Sequence, residues 1–221
     1  KNLRVAAFSS FISHKEKKET KNNFCKKPLE FLYFSNLSSH LKSSNKFIVD
    51  LINELKHIDV NWEPSNKTTV KGFQSTKNLF KDPVGKIKDL QKIIIKELQK
   101  YNSKFNNKSC LFIKQWPPKK NLFGWHVILK QQGFQDPHIH PSGWLSGVIY
   151  LKVVPSLEKN EGAIEFSLNA QNYSDSKSPK TIHQPKEGDI VFFPSSLHHR
   201  TIPFTTNADR IIISFDLLPY R

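Results

Sequence analysis

The stretch "DPHIHPSGWLSGVIYL", Asp136 to Leu151, sets two histidines one residue apart, brackets them with prolines and runs directly into an apolar segment. On a β-strand, residues two apart share a face, so His138 and His140 project the same way, a few ångströms from each other, as two ligands of one metal ion must. A third ligand then has to come from a distant segment. Asp136 has the same parity as His138 and is the alternative to His140 as a ligand.

"EGDIVFFPSSLHHRTIPF" supplies the distant segment. Its Gly188, Pro194 and His199 fall at the intervals of the second cupin signature, in which a glycine, a proline and a metal-binding histidine are separated by a strand, a turn and the start of the next strand. In that register His199 is the ligand and His198 faces the other way. The other positions of the signature are not kept, since Ser196 stands where glycine is usual and Pro203 where asparagine is usual. The first cupin signature fails more seriously, with Trp144 and Leu145 following His-x-His where a glutamate is needed. The pattern is that of a jelly-roll metal site, but not of an ordinary cupin. Arg210 follows His199 by eleven residues, on the next strand-like run. A guanidinium buried in a barrel mouth needs an anion, and its planar fork suits a carboxylate. Three metal ligands with an inward arginine one strand away are the arrangement that binds 2-oxoglutarate, its 2-oxo acid end on the metal and its far carboxylate on Arg210. Tyr150 and Ser214 are candidates to hydrogen-bond that carboxylate. Trp144, Trp125 and His126 are candidates for the substrate pocket.

The surrounding texture agrees with a β-rich core. From Cys110 onward the chain breaks into short runs, "CLFIKQW", "LFGWHVILK", "WLSGVIYLKVV", "GAIEFSL", "DIVFFP", "HRTIPF" and "RIIISFDLL", with turn signals between them and no helix-length pattern. This predicts a mainly β (α+β) fold, a double-stranded β-helix (jelly-roll, cupin-like) core over about 110–219 with N-terminal helices packed on one sheet. In "RIIISFDLL", Ile211, Ile213 and Phe215 are expected to face the helices and Arg210, Ile212 and Ser214 to face inward. Ile48, Leu51, Ile52 and Leu55 share one helical face, giving a helix over about 45–57. A second helix is expected to be capped by Asp82, with Pro83 in its first turn, and to carry the apolar stripe Ile87, Leu90, Ile94, Leu98, Tyr101 and Phe105. Together these helices make a support layer over about 39–106. Residues 1–30 show no periodicity and read as a loosely structured basic extension ahead of a single domain over 31–221.

Composition narrows the function classes. The chain has 221 residues, 37% hydrophobic and 24% charged, with 17 phenylalanines to fill a core. No apolar run approaches a membrane span, and no convincing signal peptide opens it, so a soluble, cytoplasmic protein is expected. Cys25 and Cys110 fit no metal spacing and are expected to be free thiols. The net charge of +15 is uneven: up to residue 109 there are 22 Lys/Arg against 10 Asp/Glu, and beyond it 12 against 9. A nucleic-acid partner is compatible with that charge but has no motif behind it. There is no methionine, position 1 included. Either the native start is missing or methionines have dropped out of the sequence as written.

At these residues a family resemblance becomes specific. "QDPHIHPSGWLSGVIYLKVVP", "EGAIEFSL", "GDIVFFPSSLHHRTIPF" and "DRIIISFDLLP", with "TTVKGFQSTKNLF" and "GWHVILKQQGFQ" upstream, resemble the putative 2-oxoglutarate/Fe(II)-dependent oxygenases of bacteria and phages over roughly residues 60–219. The resemblance implies a double-stranded β-helix with His138 and His199 as iron ligands and Arg210 as the 2-oxoglutarate clamp. Fe(II), 2-oxoglutarate and O2 are then the cofactors, with ascorbate as an auxiliary reductant. The activity expected is hydroxylation of a substrate that the sequence does not identify, a protein side chain or an amino acid among the options. The departure is His140, which stands where a carboxylate ligand is usual. Three-His sites also occur in thiol dioxygenases, so a three-His metalloenzyme that uses no 2-oxoglutarate is the alternative, and a non-enzymatic basic barrel a third reading.

Overall fold

The computed structural model describes residues 2–219. The elements in chain order are α1 (Leu3–Lys15), β1 (Tyr33–Asn36), α2 (Ser44–Leu55), β2 (Val60–Trp62), β3 (Thr69–Ser75), α3 (Gly85–Phe105), α4 (Leu111–Lys114), β4 (Leu122–His138), β5 (Leu145–Lys152), β6 (Ile164–Ser167), β7 (Lys180–His183), β8 (Asp189–Pro194), β9 (His198–Thr201) and β10 (Arg210–Leu217). The strands pair antiparallel in the order β1-β8-β5-β10-β4-β9-β6-β7, with the β2–β3 hairpin added on β4. Long β4 makes the curl. Its first half, Leu122–Leu129, is in register with β10, while Gln135 and His138 pair with Thr201 and His199 of β9. The strand thus leaves one layer and enters the other, and a double-stranded β-helix results.

The alternation of side chains explains why β10 is apolar on both faces. Ile213, Phe215 and Leu217 point into a core shared with Leu51 and Leu55 of α2 and Leu90, Ile94 and Leu98 of α3. Ile190 and Phe192 of β8 and Ile149 of β5 join them. The opposite parity, Ile212 of β10, Val191 and Phe193 of β8 and Val148 and Tyr150 of β5, packs against Phe166 of β6 in an inner core. Each fully buried Phe or Leu side chain contributes roughly 2–3 kcal/mol of apolar transfer free energy. The helices therefore fix the large sheet from outside, and the space between the two sheets is left for the site.

Three local expectations are corrected. Asp82 does not cap α3: its backbone is left-handed (φ 53°), the helix begins after Val84, and Glu54 of α2 accepts hydrogen bonds from the N–H groups of Lys86 and Ile87 instead. "CLFIKQW" is not a strand, because Leu111–Lys114 form a short helix that buries Phe112 and Ile113. Within the stretch expected to be loose, Leu3–Lys15 form a helix capped by Asn2, whose side chain accepts from Arg4 N–H. Leu3, Ala6, Ala7, Ser10 and Phe11 are its buried face. Small Ala and Ser on that face make a weak apolar stripe, which is why periodicity does not reveal it. Cys110 flanks a segment whose Leu111 and Phe112 N–H groups bond the carbonyls of Asn23 and Phe24. Both cysteines are free, as expected. Among the described residues no helix is long and apolar enough to cross a membrane.

Candidate metal and cosubstrate site

His138 closes β4 and His199 opens the pairing of β9, so the two are direct cross-strand partners. Gly188 starts the β8 segment at φ 83°, a conformation that favours glycine, and its N–H bonds Tyr150 O, which aligns β8 beside β5. After Pro194 the turn carries the chain to β9. His140 lies just beyond β4, where its N–H donates to Ser195 O at 3.0 Å. One ligand atom each of His138, His140 and His199 lies within 4.8 Å of the others.

The hydrogen bonds on the far side of each ring decide which nitrogen is free. His138 Nδ1 donates to Asp136 O at 2.6 Å, and His199 Nδ1 donates to Leu197 O at 3.1 Å, since a carbonyl can only accept. His140 Nδ1 lies 2.6 Å from Asp216 Oδ1 and 3.0 Å from Ser146 Oγ. Ser146 gives its proton to Asp216 at 2.7 Å, so His140 Nδ1 is the donor in its own pair. All three Nε2 atoms are left as lone pairs, and those of His138 and His140 are 3.3 Å apart. Two acceptors at that distance have no hydrogen between them, which is the donor set of a bound cation. Burial, reinforced by the neighbouring imidazoles, pulls His138 down to about 3 and His199 well below the ordinary histidine range, so both stay neutral. Asp136 contributes its carbonyl to this arrangement, and its carboxylate is not in the cluster.

Arg210, Tyr150 and Ser214 line a narrow inner pocket together with the three histidines. Arg210 is only 1% exposed, and burial lowers its affinity for its proton. Its Nε donates to Gly162 O at 3.1 Å, whereas its Nη1 and Tyr150 Oη have no partner among the described residues. The guanidinium lies over the Tyr150 ring at 5.1 Å, and burial pushes that phenol up to about 12. A buried cation with an unused donor calls for an anion from outside the chain. The same pocket opens past His138 and His140 into a cleft of about 560 Å3, walled by Trp125, Phe123, Gln74, Thr76 and Lys67. Trp125 leans on His140 with ring centroids 5.4 Å apart.

Two pocket expectations are corrected. Trp144 is a core residue: its indole N–H bonds Phe112 O at 3.0 Å, and it packs on Phe24 and Phe112. The turn after His140 reverses the parity that the strand-like run implies. His126 sits on β4 next to Trp125 and so on its other face, 1% exposed and away from the cleft. Asp216, Ser146 and Ser195 escape the sequence reading, although Asp216 has the same strand parity as Arg210.

Fold and site together set three histidines with the spacing of metal ligands inside a jelly-roll sheet. Residues 124–216, which contain every residue of the cluster and the inner pocket, match the family model described as "Putative 2OG-Fe(II) oxygenase". Over that stretch the chain is similar to the 2-oxoglutarate/Fe(II)-dependent oxygenases. Among solved structures, a Pseudomonas putida prolyl-4-hydroxylase superposes with TM-score 0.59 at 12% identity, covering 97% of this chain and 99% of its own. A Trichoplax adhaerens prolyl hydroxylase, solved with a peptide fragment of the hypoxia-inducible factor oxygen degradation domain, gives 0.56 at 11% identity, covering 98% and 90%. HygX from Streptomyces hygroscopicus, solved with nickel and 2-oxoglutarate, gives 0.57 at 10% identity, covering 85% and 82%. At these identities the likeness is one of fold. No curated protein matches the sequence.

Proposed function

We propose that the enzyme hydroxylates an amino-acid side chain of a polypeptide, with Fe(II) held by His138, His140 and His199 and 2-oxoglutarate held by Arg210. The observation that carries this reading is the placement of three unprotonated Nε2 atoms beside a buried guanidinium whose Nη1 lacks a partner. The residues fit the absent groups. The three neutral imidazoles would hold the metal, and Arg210 with Tyr150 and Ser214 would meet the cosubstrate's carboxylate at the pocket's inner end. Bound Fe(II) with O2 supplies the oxidising power, 2-oxoglutarate leaving as succinate and CO2 while the substrate C–H becomes C–OH.

The chain's own residues orient and exclude. Arg210 and Tyr150 would anchor the cosubstrate's far end in a pocket lined on its apolar side by Val148, Ile164 and Ile212. The second-nitrogen bonds of the three histidines fix ring planes and tautomers before anything binds. The outer cleft, about 560 Å3, mixes apolar walls (Phe123, Trp125, Ile139, Pro141 and Leu218) with amide and hydroxyl groups (Asn66, Thr68, Gln74, Thr76 and Gln135) and Lys67. That size and lining, together with the prolyl-hydroxylase neighbours, favours a peptide substrate over a small buried one. The test is succinate release from 2-oxoglutarate with Fe(II) and ascorbate, stimulated by proline-containing peptides. Stimulation by free amino acids alone would overturn the polypeptide reading.

The third histidine favours a second reading, a three-His enzyme with no 2-oxoglutarate. Calorimetry of the metal-loaded protein with 2-oxoglutarate separates the two. Tight metal binding without cosubstrate binding would select the second.

A further inference from the structure

Metal sites of the two-His, one-carboxylate type carry their negative charge on a ligand. Here the third position is His140, and a carboxylate lies one hydrogen bond further out. Asp216 Oδ1 takes the Nδ1–H of His140 at 2.6 Å and the Oγ–H of Ser146 at 2.7 Å. Ser195 Oγ, 2.8 Å from Ser146 Oγ, completes the chain of donors, because Ser146 has already given its own proton to Asp216. Strand pairing sets this up, since Asp216 and Ser146 are opposed across β10 and β5. Gly143 leaves the room for it: a Cβ there would stand 2.5 Å from Ser195 Oγ and 3.0 Å from Asp216 Cγ. The network is therefore built by four separate segments, with Asp216 and His140 also bordering the outer cleft.

Resting on the assignment of the metal to the three histidines, we propose that Asp216 is a positioning residue that supplies the missing anionic ligand's charge from outside the coordination shell, through His140. It holds His140 as the Nδ1–H tautomer, so that Nε2 faces the ion. It also draws the Nδ1 proton toward itself, which gives the imidazole part of the donor strength and negative charge of a carboxylate.

Asp216→Asn separates the charge from the shape. The amide oxygen still accepts from His140 and Ser146, but the negative charge is gone. Anaerobic calorimetry with Mn(II) is expected to show affinity lower by about 10–100-fold, and the Fe(III)/Fe(II) potential of the iron-loaded variant is expected to rise, with the metal-free protein melting near the wild type. A merely structural Asp216 would leave affinity and potential where they were, and that result overturns the proposal. Should Asp216→Asn not fold, Gly143→Ala keeps the carboxylate but sets a methyl group 2.5 Å from Ser195 Oγ and 3.0 Å from Asp216 Cγ, so the hydrogen bonds around Asp216 must shift. The same loss of Mn(II) affinity supports the proposal, and an unchanged affinity overturns it. A wild-type protein that binds no Mn(II) overturns the three-histidine site itself, whereas a binding wild type with an equally binding Asp216→Asn overturns only the role of Asp216.

Discussion

Strand β10 buries a cation at its first residue and an anion near its last, and the two are treated oppositely. Arg210 and Asp216 share one face, about 20 Å apart at the usual strand rise. Asp216 is satisfied within the chain by His140 and Ser146. Among the described residues Arg210 Nε bonds Gly162 O and its Nη1 has no hydrogen-bond partner, while the guanidinium lies over the Tyr150 ring. A buried charge left short of partners is costly, whereas one that is fully hydrogen-bonded is held in place. One end of the strand is thus finished by the fold, and the other is finished only by a ligand.

The largest effect tests the three-histidine cluster that lies between the two ends. His199→Ala removes a ligand from β9, the layer opposite β10, and is expected to weaken Mn(II) by more than the ~10–100-fold that a supporting residue costs, read by calorimetry. Arg210→Met comes next. Losing a charged hydrogen-bond partner for the cosubstrate carboxylate should weaken 2-oxoglutarate by roughly 30–1000-fold. The same change is expected to leave the ligand-free protein as stable as before or more so, because it removes an undersatisfied buried charge. Asp216→Ala should do the reverse, costing about 1–3 kcal/mol in ligand-free unfolding by stranding the donors of His140 and Ser146. Equal thermal shifts for the two variants would break the contrast.

The smallest effect concerns a histidine that neither end uses. Burial lowers His126 to about 4, below its ordinary 6.5. Between those values the unfolded chain takes up a proton that the folded one refuses. Stability is therefore flat above pH 6.5 and falls below it, by about 1–2 kcal/mol at pH 5. A His126→Leu variant should lose that share of the acid limb in denaturant titrations at pH 7 and pH 5.

How much of this was legible in the sequence follows from how local each signal is. His138 and His140 are visible from a period of two, and His199 from a strand, a turn and a strand of fixed length. Arg210 and the outward Ile211, Ile213 and Phe215 follow from the same parity. Asp216 shares that parity, but its meaning lies in a partner 76 positions away, and only strand pairing brings the two together. Trp144 is misplaced because three residues of turn, Pro141 to Gly143, separate it from His140, and parity does not survive a turn. The helix over Leu111–Lys114 was read as a strand because a run of three apolar residues carries no period. The helix over Leu3–Lys15 was hidden by alanines and serines on its buried face.

The measurement that bears most directly on the contrast is anaerobic titration of 2-oxoglutarate into Mn(II)-loaded protein, wild type beside Arg210→Met. The expected result is one equivalent bound by the wild type and binding weaker by at least about 30-fold in the variant, with Mn(II) retained by both. A wild type that holds Mn(II) and takes up no 2-oxoglutarate, or a variant that takes it up equally well, would contradict the assignment of Arg210 as the end of the strand left open for the cosubstrate.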